Sequence, residues 1–180
     1  MKKPPTNKKT AAQDLRTPKY LYRELSRRFG PFHADLAASH DNHLCNTYYT
    51  EDNSALQDEL GWEGSCFCNP PYNNILPWVA KAIRCVFHES AWDCERVTML
   101  LPARVGTEWW RWAEMYGRIH RIEGRVRFED ENGVPKSNPF EYSVVVVFER
   151  DLNMRALLNA DSNKNAGSNS DDDTDNASSE

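Results

Sequence analysis

Four successive residues, Asn69-Pro70-Pro71-Tyr72, carry the most distinctive chemistry in this chain. An amino group on an aromatic ring is a poor nucleophile, because its lone pair is delocalised into the ring. A site that alkylates it must accept hydrogen bonds from both N–H groups, drawing the nitrogen toward sp³ geometry. Asn69 offers one acceptor through its side-chain oxygen, and Pro70 offers another through its carbonyl. The prolines restrict the backbone on both sides of that carbonyl, and neither has an N–H to compete as a donor. Tyr72 adds a flat face on which a ring can stack. The set suits methylation of an exocyclic amino nitrogen by in-line displacement from the sulfonium of S-adenosylmethionine. Positioning then supplies much of the acceleration, up to roughly 7–11 kcal/mol in good cases, and no strong general base is needed. Asn-Pro-Pro also occurs as an ordinary turn after a strand, so the flanking elements decide between the two readings.

Those elements alternate. Thr17-Pro18 reads as a helix start, with Thr17 as N-cap and Pro18 at the first helical position. Leu21, Leu25 and Phe29 follow at helical spacing, and Gly30 stops the helix. Pro31 to Leu36 reads as a short strand ending near Asp35, and Tyr48-Tyr49-Thr50 follows a polar stretch. Ser54 to Leu60 suits one or two helical turns. Ser65 to Cys68 is a strand entering the Asn-Pro-Pro-Tyr loop, and the helix after it carries Ile75, Val79, Ala82, Ile83 and Val86 on its inner face. Arg96 to Leu101 is a strongly apolar strand stopped by Pro102, and Thr107 to Tyr116 is a helix ended by Gly117. Gly124 to Phe128 and Tyr142 to Phe148, joined through Asn132-Gly133, read as an antiparallel pair. The succession predicts an α/β fold with a mostly parallel sheet and an antiparallel C-terminal hairpin. In such sheets ligands bind beyond the carboxyl ends of the strands, where Asp35, Asn69 and Pro102 all fall.

The 180 residues suffice for one domain, and composition trims both ends of it. The first ten residues hold four lysines and no acid, which predicts a flexible basic arm over 1–13. From Asp161 onward there are six acids, one lysine and no large apolar side chain, which predicts a disordered acidic tail over 156–180. The domain is then 14–155. The net charge of −5 divides into +4 for residues 1–10, −5 for 161–180 and hence −4 for 11–160. A domain of that sign cannot coat nucleic acid wholesale, so any basic contact surface is local. Its candidates are Arg104, Arg111, Arg118, Arg121, Arg125 and Arg127. Five cysteines without a signal peptide, and no apolar run long enough for a membrane span, predict a soluble cytoplasmic protein. The spacing of Cys66 and Cys68 with Cys45, Cys85, Cys94 and His43 matches no ordinary zinc finger or ribbon, so free thiols and no metal are expected.

Six features in one order carry a more specific resemblance. They are Thr17-Pro18, Phe32-His33-Ala34-Asp35-Leu36-Ala37-Ala38, Tyr48-Tyr49-Thr50, Phe67-Cys68-Asn69-Pro70-Pro71-Tyr72, Leu101-Pro102-Ala103-Arg104 with Trp109-Trp110, and Gly124-Arg125-Val126-Arg127-Phe128. Over about residues 14–150 the chain resembles the phage-type, Dam-like family of DNA N6-adenine methyltransferases. The resemblance implies a Rossmann-like class I S-adenosylmethionine-dependent methyltransferase fold and a flipped adenine in double-stranded DNA as acceptor. It also implies a phage or prophage origin, and so a bacterial host cytoplasm. It assigns Asn69, Pro70, Pro71 and Tyr72 to the catalytic loop, Asp35 and Ala37 to the cofactor side, and Thr17 and Pro18 to a segment closing over the methionine part of the cofactor. By position, Asp52, with Glu51 as second candidate, is assigned to the ribose hydroxyls. Asp35-Leu36-Ala37-Ala38-Ser39 departs from the wider methyltransferase pattern in having no Gly-x-Gly loop, with small residues in its place.

For DNA contacts the candidates are Arg104, Arg125, Arg127 and Lys136, the last in a polar loop of residues 129–140. Trp109, Trp110 and Trp112 are expected to divide between the core and the surface of their helix. Other amino acceptors fit the same loop: adenine in RNA, N4 of cytosine in DNA, or a glutamine amide in protein. The missing glycine loop is the one feature that favours a catalytically degenerate nucleic-acid-binding protein. Neither a recognition sequence nor an oligomeric state follows from the residues.

Overall fold

A computed structural model describes residues 16–88, 91–130, 132–137 and 142–150. The basic arm expected over 1–13 and the acidic tail expected over 156–180 lie outside these residues. Among them the chain forms helices α1 (Lys19–Phe29), α2 (Leu76–Ile83) and α3 (Glu108–Tyr116). Its strands are β1 (Ala34–Asp35), β2 (Thr47–Tyr48), β3 (Gly64–Cys68), β4 (Cys94–Pro102), β5 (Arg118–Arg121), β6 (Arg127–Glu129), β7 (Pro135–Ser137) and β8 (Ser143–Glu149). α2 continues into a π-helical turn, Arg84–His88.

Six strands make one sheet in the order β2-β1-β3-β4-β8-β5. β2, β1, β3 and β4 run parallel to one another, and β8 is antiparallel to both of its neighbours. This is the Rossmann-like, mostly parallel α/β sheet expected from the alternation of strands and helices. Period-2 alternation sorts the side chains to the two faces. Cys66, Cys68, Val97, Met99, Leu101, Val144, Val146 and Phe148 pack with α2 and α3, whereas Phe67, Leu100, Val145 and Val147 pack with Leu21 and Leu25 of α1 and with Val126 and Phe128. The sheet is covered on both faces, which is why β8 reads as an unbroken apolar run.

Four local expectations are corrected. Thr17 does not cap α1; Pro18 occupies the N-cap in an extended conformation and the helix begins at Lys19. The strand expected over Pro31–Leu36 contracts to Ala34–Asp35. Ser54 to Leu60 is a run of turns, closed by Gln57 N–H to Ser54 and Leu60 N–H to Gln57, with no continuous helix. The carbonyl of Gln57 also accepts the ammonium of buried Lys81. The segment after Gly124 does not pair with 142–148: β6 pairs with β7 in a small separate sheet, while β8 inserts between β4 and β5. The physical reason is burial. A seven-residue strand buried at six positions needs partners on both edges and packing on both faces, which a three-residue surface strand cannot supply.

Candidate active site

The carboxyl ends of β1, β3 and β4 lie side by side, with Asp35 in register with Phe67 and Cys68 in register with Met99. Asp35, the Asn69–Tyr72 loop and Ala103-Arg104 therefore share one edge of the sheet. β8 enters at the same edge, where Ala103 N–H donates to the Tyr142 carbonyl at 2.7 Å.

Asn69 leaves β3 and turns its amide toward the start of α1. Its Nδ2 donates to the Thr17 hydroxyl at 3.1 Å. Its Oδ1 is buried and has no hydrogen-bond partner among the described residues. A buried carbonyl oxygen without a donor costs about 1–3 kcal/mol, so its persistence here needs a reason. A ligand that brings an N–H or O–H donor would satisfy it. Pro70 is buried beside it, and the ring of Tyr72 stands edge-on to Phe128, with centroids 6.1 Å apart and planes at 84°. Arg104 Nη1 donates to the Tyr72 carbonyl at 2.8 Å, tying the far end of the loop to the end of β4. Both ends of the loop are thus anchored by residues distant in sequence.

Asp35 is 3% exposed. Its two oxygens accept the backbone N–H groups of Leu44 at 3.1 Å and Ala37 at 3.4 Å, so it clamps both ends of the 37–44 loop. Burial pushes its carboxyl up to about 6, against partial relief from those two donors and from nearby His43. A desolvated carboxylate of this kind favours a positive neighbour. Ala37 is half-buried on the same loop. Asp52 lies in an exposed turn beyond β2, with Glu51 next to it.

The basic candidates separate. Arg125 is exposed, its guanidinium lying 5.4 Å from the ring centroid of Tyr142. Arg127 is exposed on β6, and Lys136 stands opposite Phe128 in the β6–β7 pairing. Arg111, Arg118 and Arg121 are exposed on α3 and β5. Arg104 is the exception, being half-buried and engaged with the Asn69–Tyr72 loop. A cavity of about 460 Å³ opens between the ends of β4, β5 and β8, with Ala103 and Val105 on either side of Arg104 among its lining. Trp109 and Trp110 are buried and Trp112 packs against the same core, so this set is structural. All five cysteines are buried free thiols. Among the described residues, no cluster of three or more His, Cys, Asp or Glu side chains is arranged to hold a metal ion, and no helix is long and apolar enough to cross a membrane.

Residues 5–172 match the family model described as DNA N-6-adenine-methyltransferase (Dam). The chain belongs to the Dam family. It is 33% identical over 105 residues to the DNA N-6-adenine-methyltransferase of Escherichia phage T1, an alignment covering 58% of this chain and 42% of that protein. It is 27% identical over 150 residues to the protein of the same description from Haemophilus phage HP1, covering 80% of this chain and 83% of that protein. The chain thus spans less than half the length of the first relative and most of the second.

Membership of the Dam family implies a methyl donor. Asp35, a buried acid at the carboxyl end of β1 whose charge a cationic ligand would offset, stands beside a loop of small residues that would let a ligand approach the backbone. Sequence reasoning missed two residues of this Dam-family site. Arg16 pairs with β6 through both backbone groups, and Phe128 braces Tyr72. Phe128 stood in the Gly124–Phe128 motif, but its partner was not visible; Arg16 gave no signal at all.

Proposed function

We propose that this chain transfers a methyl group from S-adenosylmethionine to N6 of an adenine flipped out of double-stranded DNA. The observation that carries the reading is the buried, unpartnered Oδ1 of Asn69, next to a proline carbonyl and a braced tyrosine ring. An adenine amino group brings two N–H donors. Asn69 Oδ1 takes one and the Pro70 carbonyl takes the other, which turns the nitrogen lone pair out of the ring plane. Tyr72 stacks on the base, while Phe128 and the Arg104 contact keep its ring and backbone in place. The bound cofactor supplies an electrophilic methyl group. Asp35, Ala37 and Pro18 line its side of the cleft, with Asp52 at the ribose. The amine sheds its extra proton to water once alkylated, so no residue need serve as a strong base.

Arg125, Arg127 and Lys136 hold the DNA backbone as a local basic surface on an otherwise acidic domain. Residues 14–155 form the methyltransferase unit between a basic arm and an acidic tail, in a protein of the bacterial cytoplasm.

The test is incubation with tritiated S-adenosylmethionine and DNA, RNA or protein, followed by identification of the methylated product. N6-methyladenine in DNA is the expected product; label confined to RNA, to cytosine or to protein would overturn the choice of acceptor. Asn69→Ala should lower turnover by at least about a hundredfold while cofactor binding persists, since it removes a transition-state acceptor. An active Asn69→Ala variant would overturn the mechanism.

A further inference from the structure

We infer that Thr17 is a positioning residue for methyl transfer, holding the Asn69 amide so that its oxygen faces the acceptor amine. This rests on the function proposed above and departs from the cofactor role that the family resemblance gives Thr17. A carboxamide has a donor end and an acceptor end of nearly the same shape. Turned the wrong way, Asn69 would aim N–H groups at the N–H groups of the substrate. Thr17 Oγ1 accepts from Nδ2 at 3.1 Å, which satisfies the donor end and leaves Oδ1 as the buried atom with no partner among the described residues. Thr17 is itself 5% exposed, so water cannot readily take its place at Nδ2.

The position of Thr17 is fixed from both sides. Pro18 holds the backbone extended at φ −59° and ψ 137°. Arg16 donates its N–H to the Glu129 carbonyl at 2.8 Å and accepts from Glu129 N–H at 3.0 Å, which docks the segment on β6. The Arg16 guanidinium reaches Asp41 at 2.7 Å, and Asp41 accepts the Ser39 hydroxyl at 2.7 Å. Arg16-Thr17 is therefore a strap joining the β6–β7 hairpin, the 37–44 loop and the catalytic asparagine. Failure to cap α1 is explained in the same way: the hydroxyl is committed to Asn69.

The experiment compares Thr17→Val, which keeps the shape and loses the acceptor, with Thr17→Ser, which keeps the hydroxyl. Steady-state methylation gives kcat and KM for DNA, and calorimetry gives the Kd for S-adenosylmethionine independently of turnover. Thr17→Val should lower kcat about ten- to a hundredfold, because the freed amide no longer holds its oxygen toward the amine in the transition state. The cofactor Kd should stay within about threefold of wild type, and Thr17→Ser should recover kcat to the same margin, because the lost interaction is made by the hydroxyl alone. A cofactor Kd that weakens as much as kcat falls would overturn the inference in favour of the cofactor role. Full activity in Thr17→Val, or no recovery in Thr17→Ser, would overturn it too. Should Thr17→Val unfold in a thermal melt, Thr17→Ala supplies the same comparison without the added methyl group. These outcomes are ratios to wild type on whichever acceptor it methylates, so an error in the proposed acceptor shows in the wild type alone.

Discussion

Asp35 builds a pH dependence into the stability of the fold. Burial lifts its carboxyl from an ordinary 3.8 to about 6. Between those values the folded chain holds a proton that the unfolded chain has released. Stability from this group is therefore full below the unfolded value and declines as pH rises toward and past about 6. At about 1.4 kcal/mol per pH unit, the decline comes to about 3 kcal/mol. Asp35→Asn abolishes the titration. It also sets an amide NH₂ against one of the two backbone donors, at Leu44 or Ala37, a penalty of about 1–3 kcal/mol that does not vary with pH. The titratable neighbours, Tyr22 on α1, His43 and Cys45 on the loop and Cys68 on β3, are common to both proteins. The difference between wild type and variant thus reports the Asp35 carboxyl together with its coupling to His43. Urea unfolding at intervals from about pH 4 to about pH 8, without cofactor, should show wild type losing about 2–3 kcal/mol relative to Asp35→Asn. A difference flat to within about 1 kcal/mol, or one that grows in favour of wild type, would refute the reasoning.

Two further outcomes test other parts of the structure. A Cβ on Gly117 would lie 2.8 Å from Val146 Cγ1 and 3.0 Å from the Ala113 carbonyl, so Gly117→Ala should cost about 1–3 kcal/mol in urea unfolding; an unchanged midpoint would contradict the packing of α3 on β8. Arg125→Ala and Arg127→Ala should each weaken DNA binding and reduce the slope of log affinity against log salt by about 1, measured by fluorescence anisotropy. An unaltered slope in either variant would remove that arginine from the phosphate contacts.

The strands that carry the site were legible because burial wrote them plainly. Ser65–Cys68 and Arg96–Leu101 are apolar runs between clear stops, and the Asn-Pro-Pro-Tyr loop names its chemistry by residue type. The place of 143–149 was harder to read. Its valines say that it is buried, but which strands flank it depends on the partners β4 and β5 offer, and pattern within a single segment holds no record of that. β1 was overdrawn for a related reason: only Ala34 and Asp35 pair, although the residues around them are equally apolar. Thr17 shows the limit of a local rule. Ser or Thr before a helix is ordinarily a cap, and here a longer-range acceptor role displaced it. Arg104 is a DNA-contact candidate from its charge, and sequence pattern gives no sign that its guanidinium also donates to the Tyr72 carbonyl, a contact between segments 32 residues apart.

The insertion of β8 between β4 and β5 has a consequence for how the molecule comes into being. A chain leaving the ribosome presents β4 and β5 before the strand that pairs with both has been made. Until it arrives, the apolar edge of β4 is open to other chains, and β5 has no neighbour to lie against. Among the described residues, the last sheet strand to be synthesised completes the sheet's interior, so folding rests on contacts far apart in sequence. Such contacts close slowly. The residues that would accept an amino group occupy the middle of the chain, but the platform beneath them is finished only when Glu149 is in place.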